Sequence, residues 1–274
     1  MNYQHNKSFL IFQHCILLIK PSSFDGFIID GTILAIGALS NNGSGAQSGH
    51  VRVFTYNGTV WDQLGTDIDG EAAGDQSGSA VSLSSDGTVL AIGAHFNDGN
   101  GTSSGHTRVY AYNGTDWDQL GTDIDGEAVG DGSGSAVSLS SDGTILAIGA
   151  NLNDGNGSSS GHTRVYAYNG TDWAQLGTDI DGEAAGDRLG SAVSLSSDGT
   201  VLAIGANLND GNGSSSGHTR VYAYNGTDWG QLGTDIDGEA AQDRLGVSVS
   251  LSSDGTVLAI GAELNDGNGT DSGQ

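Results

Sequence analysis

The sequence predicts an all-β fold, a β-propeller of four-stranded blades, and three observations predict it. A period of 56 residues runs without insertion from Asp30 through Asp86, Asp142 and Asp198 to Asp254, and it carries His50, His106, His162 and His218, then Trp61, Trp117, Trp173 and Trp229. A repeat of that length is one supersecondary module stacked on copies of itself. Each unit also holds four short alternating or β-branched runs divided by Asp-Gly and Asn-Gly turns. No helical period accompanies them, which removes a helical solenoid, and a parallel β-helix has shorter coils without paired hairpin turns.

Residues 135–190 serve as the type unit. Ser135 to Leu139 alternates small and apolar residues, Ser140 to Thr144 is a tight turn, and Ile145 to Ile148 is an aliphatic run. Together they form a first hairpin. After the polar stretch Asn151 to Gly161, Thr163 to Tyr168 alternates, Asn169-Gly170-Thr171 turns, and Trp173 to Leu176 leads away as the second hairpin. Val137, Leu139, Leu146 and Ile148 should fill the space between blades, with Trp173 plugging the outer strand against the next sheet.

Composition narrows the partners. Eight Lys plus Arg stand against 33 Asp plus Glu, a formal charge of −25, which repels phosphate backbones and bilayers, so nucleic acid and anionic membrane surfaces are not expected to bind. The same excess favours divalent cations, and a saline habitat accounts for it equally well. The 47 glycines fall at fixed places between strands and punctuate them. Cys15 is the only cysteine, so no intramolecular disulfide forms.

Residues 1–26 fit no unit. Phe9 to Ile19 is an apolar run too short to span a bilayer; it reads either as a degraded signal peptide without a small-residue cleavage site or as a diverged first repeat. Residues 27–274 form the repeat array. A seven-bladed ring at this period needs about 390 residues, so the chain closes as four or five blades or is an incomplete ring, the reading favoured because both ends fall out of the repeat.

Around the first hairpin each unit reads G-D-x-x-G-S-A-V-S-L-S-S-D-G-T-x-L-A-I-G-A, which resembles the FG-GAP repeats of integrin α-subunit N-terminal propellers. Gly186-Asp187-Arg188-Leu189-Gly190 is similar to the segment carrying the Phe-Gly pair, and Ile148-Gly149-Ala150 to the Gly-Ala-Pro segment. The Phe position is Ser77, Ser133, Leu189 or Leu245, and the Pro position His95, Asn151, Asn207 or Glu263. The family's D-x-D-x-D-G-x-x-D calcium loop is replaced by Ser-Ser-Asp-Gly-Thr, a turn too short to wrap an ion. The resemblance implies an interaction propeller, often extracellular and adhesive.

Carboxylates are concentrated elsewhere. Asp67, Asp69, Glu71 and Asp75 stand at alternate positions of one Gly-bearing loop, and the set recurs as Asp123, Asp125, Glu127 and Asp131, as Asp179, Asp181, Glu183 and Asp187, and as Asp235, Asp237, Glu239 and Asp243. Alternate oxygens can converge on a hard cation, and Ca2+ is the candidate, although the bidentate Glu of an EF-hand is missing. The competing reading is a solvated connection in which Asp caps turn amides. The Asn153-Asp154-Gly155-Asn156-Gly157 loop and its copies offer one carboxylate each and read as turn chemistry. N-x-[ST] sequons at Asn57, Asn100, Asn113, Asn156, Asn169, Asn212, Asn225 and Asn268, with Asn6 and Asn42, suit glycosylation or hairpin turns. Ser104-Gly105-His106 and its copies imply no nucleophile, since four copies of an active site are not needed. Arg188 and Arg244, which replace Gln76 and Gly132, mark loops where units differ.

The function expected from these residues is non-catalytic binding or adhesion at the cell surface or outside the cell, through blade loops that take a protein or glycan partner. The alternatives are a carbohydrate-active enzyme or lectin-like accessory module on the same fold, and a structural spacer in a repetitive surface protein.

Overall fold

The structure, a computed structural model, describes residues 27–29, 31–267, 269, 272 and 273. The apolar N-terminal run, Cys15, Asp30 and the sequons at Asn6 and Asn268 lie outside the described residues. The described residues contain no helix; they form four five-stranded antiparallel sheets and a final two-stranded sheet, Leu245–Leu251 with Leu258–Ala262.

The third sheet shows how the unit is built. Its strands are Ala136–Leu139, Ile145–Ala150, His162–Tyr168 and Trp173–Gln175, in that spatial order, and the expected hairpins are both present. A fifth strand of two residues, Ile180–Asp181, pairs with the start of the third strand, His162 opposite Asp181, so the outer edge is built from two short pieces. In the first hairpin Val137 faces Ile148 and Leu139 faces Leu146. Their turn is closed by Asp142, whose Oδ1 accepts from Ser140 Oγ at 2.7 Å and from the Thr144 amide at 3.0 Å, while Gly143 takes φ 71°.

Blades adhere in two ways. Apolar side chains fill the gap: Leu146 and Ile148 with Ala91, Val109, Tyr166 and Trp173 form one cluster of buried residues, and equivalent clusters flank it. The inner turns are also joined by backbone hydrogen bonds, Ser85 N to Ser141 O at 2.9 Å, Ser141 N to Ser197 O at 2.8 Å, and Ser197 N to Ser253 O at 2.9 Å. Trp173 plugs the gap toward the preceding sheet instead of the following one. Its Nε1 donates to Leu120 O at 2.9 Å, because the chain leaving each outer strand passes under the next unit's indole. Tyr168 packs beside it, ring centroids 5.4 Å apart.

The surviving family glycines have a steric reason. A Cβ on Gly149 would fall on the carbonyl oxygen of Gly190, and Gly190 itself holds φ 87°. Leu189, in the Phe position, is fully buried. Two backbones therefore meet where the second strand of one blade passes the entry to the next, and only glycine permits it.

Candidate functional site

Alternation along the third strand places His162, Arg164 and Tyr166 on one face. His162 is 2% exposed and Arg164 8%, both against the preceding blade. Arg164 is held there by the carbonyl of Asp125, 2.9 Å from Nη2, and by the ring of Tyr166, whose centroid lies 5.6 Å from the guanidinium carbon. Two carboxylates reach the imidazole from different units. Asp179 Oδ2 lies 3.8 Å from His162 Nδ1, and Glu127 Oε2, from the unit before, lies 3.9 Å from it.

The trio occurs three times among the described residues: Glu71, His106 and Asp123; Glu127, His162 and Asp179; Glu183, His218 and Asp235, each with ligand atoms within 4.8 Å of one another. These groups are positioned to hold a metal ion. Burial, and next the adjacent arginine, push each imidazole below its ordinary pKa against the opposing pull of the carboxylates, which favours the neutral ring at neutral pH. An open depression lined by Gln175, Gly177, Thr178, Asp179 and Asp181 adjoins the second trio, and its copy around Asp235 adjoins the third.

The fold sends the four carboxylates of one loop in different directions. Asp67 accepts from Arg52 Nε at 3.0 Å and Gln63 Nε2 at 2.7 Å. Asp69, Asp125, Asp181 and Asp237 end the short fifth strands. All four glutamates are exposed; Glu71, Glu127 and Glu183 nonetheless reach the histidine of the following blade. Asp75, Asp131, Asp187 and Asp243 are buried, each Oδ2 accepting the amide three residues earlier at 2.9–3.0 Å. Asp75, Asp187 and Asp243 also accept from Asn97, Asn209 and Asn265 of the next hairpin.

The other polar loops serve turns. Asn153 Oδ1 accepts the Gly155 amide at 2.8 Å, and Asn169 Oδ1 accepts the amides of Thr171 and Asp172 at 3.0 Å. Ser160 Oγ donates to Asn153 O at 3.3 Å and accepts the Asn156 amide at 3.2 Å, so it is no nucleophile for His162. Sequence reasoning treated the histidines only as parts of Ser-Gly-His. The signal available was their alternation with Arg and Tyr, which places three polar-tipped side chains on a buried face.

The FG-GAP repeat pattern matches residues 66–112, 178–224 and 234–274. No curated protein matches the sequence. Among solved structures, the chain is similar to a putative 6-phosphogluconolactonase from Bacteroides uniformis ATCC 8492, with a TM-score of 0.54 and 14% identity over 85% of this chain and 62% of that one. It is similar also to a periplasmic gluconolactonase of Pseudomonas aeruginosa, with a TM-score of 0.56 and 18% identity over 85% and 63%. The chain thus spans a little under two thirds of each, and at these identities the likeness is one of fold. These matches correct the expectation of a non-catalytic binding and adhesion module that is not an enzyme, because the propellers sharing this architecture are named as lactonases. The expectation rested on the resemblance to interaction propellers and on reading residues that recur in every unit as structural; the His–carboxylate clusters, which the fold assembles across two units, were not foreseen. The FG-GAP repeat pattern thus recurs at three places in the chain, consistent with an FG-GAP repeat β-propeller family.

Proposed function

We propose that this chain is a propeller hydrolase, acting outside the cytoplasm on a cyclic ester of a sugar acid. The observation that supports it is the His162 trio, a buried neutral imidazole between Asp179 and Glu127 beside an open polar depression. Lactone opening needs an activated water and a proton acceptor. A neutral imidazole takes a proton from water directly or lends its lone pair to a divalent cation that lowers the water's pKa. The water oxygen bonds to the carbonyl carbon, the ring C–O bond breaks, and the proton returns to the leaving alkoxide to give the hydroxy acid. Gln175, Thr178 and Asp179 line the depression with groups suited to sugar hydroxyls. A net charge of −25 favours an uncharged lactone over a phosphorylated one. The location is inferred from the repeat family and from the periplasmic neighbour.

Calcium, the ion expected from the carboxylate spacing, prefers oxygen ligands alone. The trio offers a nitrogen and two oxygens, a set that supports a borderline ion better. The test is release of acid from glucono-1,5-lactone, followed by pH-stat, with the wild-type chain and with His106, His162 and His218 all changed to Gln. The reading expects turnover above buffer that the triple variant loses. Hydrolysis no faster than buffer, with and without added divalent ions, overturns it.

A further inference from the structure

We infer that each His–carboxylate trio is a binding site for one divalent ion of the zinc class, seated between adjacent blades, three such sites being formed by the described residues. This deepens the reading of the trio above, but its binding test stands whether or not the chain turns over a lactone.

The spacing is that of ligands around an ion. His106 Nδ1 lies 3.7 Å from Asp123 Oδ2 and 3.9 Å from Glu71 Oε2; the second trio has 3.8 and 3.9 Å, and the third 3.8 and 4.0 Å. A hydrogen bond from the ring would draw either oxygen to about 2.7–3.2 Å. Two ligands about 2.1 Å from a tetrahedral zinc stand about 3.4 Å apart, a few tenths of an ångström inside the separations seen. All three ligand atoms of each trio lie within 4.8 Å of one another, so inward movement of the exposed Glu and half-exposed Asp side chains closes the set on the ion.

The outer contacts support the same assignment. Each carboxylate gives one oxygen to a protein donor and turns the other to the imidazole. Asp123 Oδ1 accepts from Gln119 Nε2 at 2.6 Å while Oδ2 faces His106; Asp179 and Asp235 are held likewise by Gln175 and Gln231, also at 2.6 Å. Glu71 Oε1 lies 3.5 Å from Arg108 Nη1 while Oε2 faces the ring. Orientation of ligating carboxylates by such partners is the usual arrangement of metal sites. The arginine also balances charge: two carboxylates, one guanidinium and a divalent ion sum to a single positive charge, where a second cation on the imidazole would find it already crowded.

In the third trio the imidazole has no other polar contact to satisfy it. His218 is 1% exposed, and its Nε2 is buried without a hydrogen-bond partner. Its polar contacts thus depend on Nδ1, which faces two acceptors from a distance too great to bond them. A neutral nitrogen donor beside two carboxylates selects ions such as Zn2+ over Ca2+ and Mg2+. Because the Glu comes from the preceding unit, each ion would tie two blades together.

The experiment uses the full chain, freed of metal with EDTA and dialysed, then titrated with zinc chloride by calorimetry and counted by native mass spectrometry. Three ions per chain are expected for wild type, bound at least tenfold more tightly than calcium. Asp179→Asn and Glu127→Gln, each touching one trio at a partly exposed position, should each bind two, with far-UV circular dichroism unchanged. A count unaffected by both substitutions, or calcium bound as tightly as zinc at the same count, overturns the inference and leaves only diffuse attraction to an acidic surface.

Discussion

Trp173→Ala and Trp61→Ala make the same substitution at the same repeat position, yet the structure separates them. Trp173 is 9% exposed, donates to Leu120 O at 2.9 Å, and packs against Tyr168. Trp61 is 40% exposed, and Val60 before it replaces the aspartate that in other units caps the preceding blade's threonine, as Asp172 does for Thr122. Removing the Trp173 indole forfeits its apolar burial, about 1.5–3 kcal/mol, its aromatic pairing, about 0.5–1.5, and one hydrogen bond, about 1. The total, about 3–5 kcal/mol, agrees with the usual cost of a buried Trp→Ala. For Trp61→Ala the expected loss is about 1 kcal/mol or less. Urea unfolding followed by circular dichroism measures both. At an m value of about 3 kcal/mol/M, Trp173→Ala should move the midpoint down by about 1 M or more while Trp61→Ala barely moves it. Equal shifts would refute the argument, since they would mean that the interblade seat of the indole contributes nothing beyond the blade itself.

Other consequences are as sharp. Gly149→Ala should cost about 2 kcal/mol or more, because its Cβ meets the Gly190 carbonyl, whereas Gly230→Ala, in open space on an outer strand, should be nearly neutral; thermal melts of the pair decide it. Arg188 holds φ 58° where another unit has Gly132 at φ 63°, so Arg188→Gly should raise stability by about 0.5–1 kcal/mol in urea titration. Hydrogen bonds from the Thr122 amide and next the Trp173 amide hold the Asp172 carboxyl below its ordinary value of 3.8. A depressed folded pKa gives stability that is present above the unfolded value and lost as pH falls through the folded one. Asp172→Asn should therefore flatten the acid limb of a stability profile below about pH 4 while changing its neutral plateau less.

The hairpins were legible because the first three strands of the unit run four, six and seven residues and each turn carries its own chemistry, as Asp142 and Gly143 do. The fifth strand was not, since Ile180–Asp181 is too short to show a period and pairs only because the chain doubles back along the start of the third strand. The trio escaped for another reason. Glu127 and His162 lie 35 residues apart in different units, so their meeting is a property of how blades stack and leaves no local pattern. The carboxylates at alternate loop positions were visible at once. Their destinations depend on which neighbour each side chain meets, and four environments share one spacing.

The turn-to-turn bonds from Ser85 to Ser141, Ser197 and Ser253 have a consequence for how such a chain can change length. Every junction uses the same donor, the same acceptor and the same step, so these seams do not distinguish one blade from the next. Excising or duplicating 56 residues would leave each remaining seam chemically unaltered, whereas a change that is not a whole number of units would disturb the seam where it falls. A gene encoding this protein can thus grow or shrink by whole units at little structural risk, with the number of His–carboxylate clusters rising or falling in step.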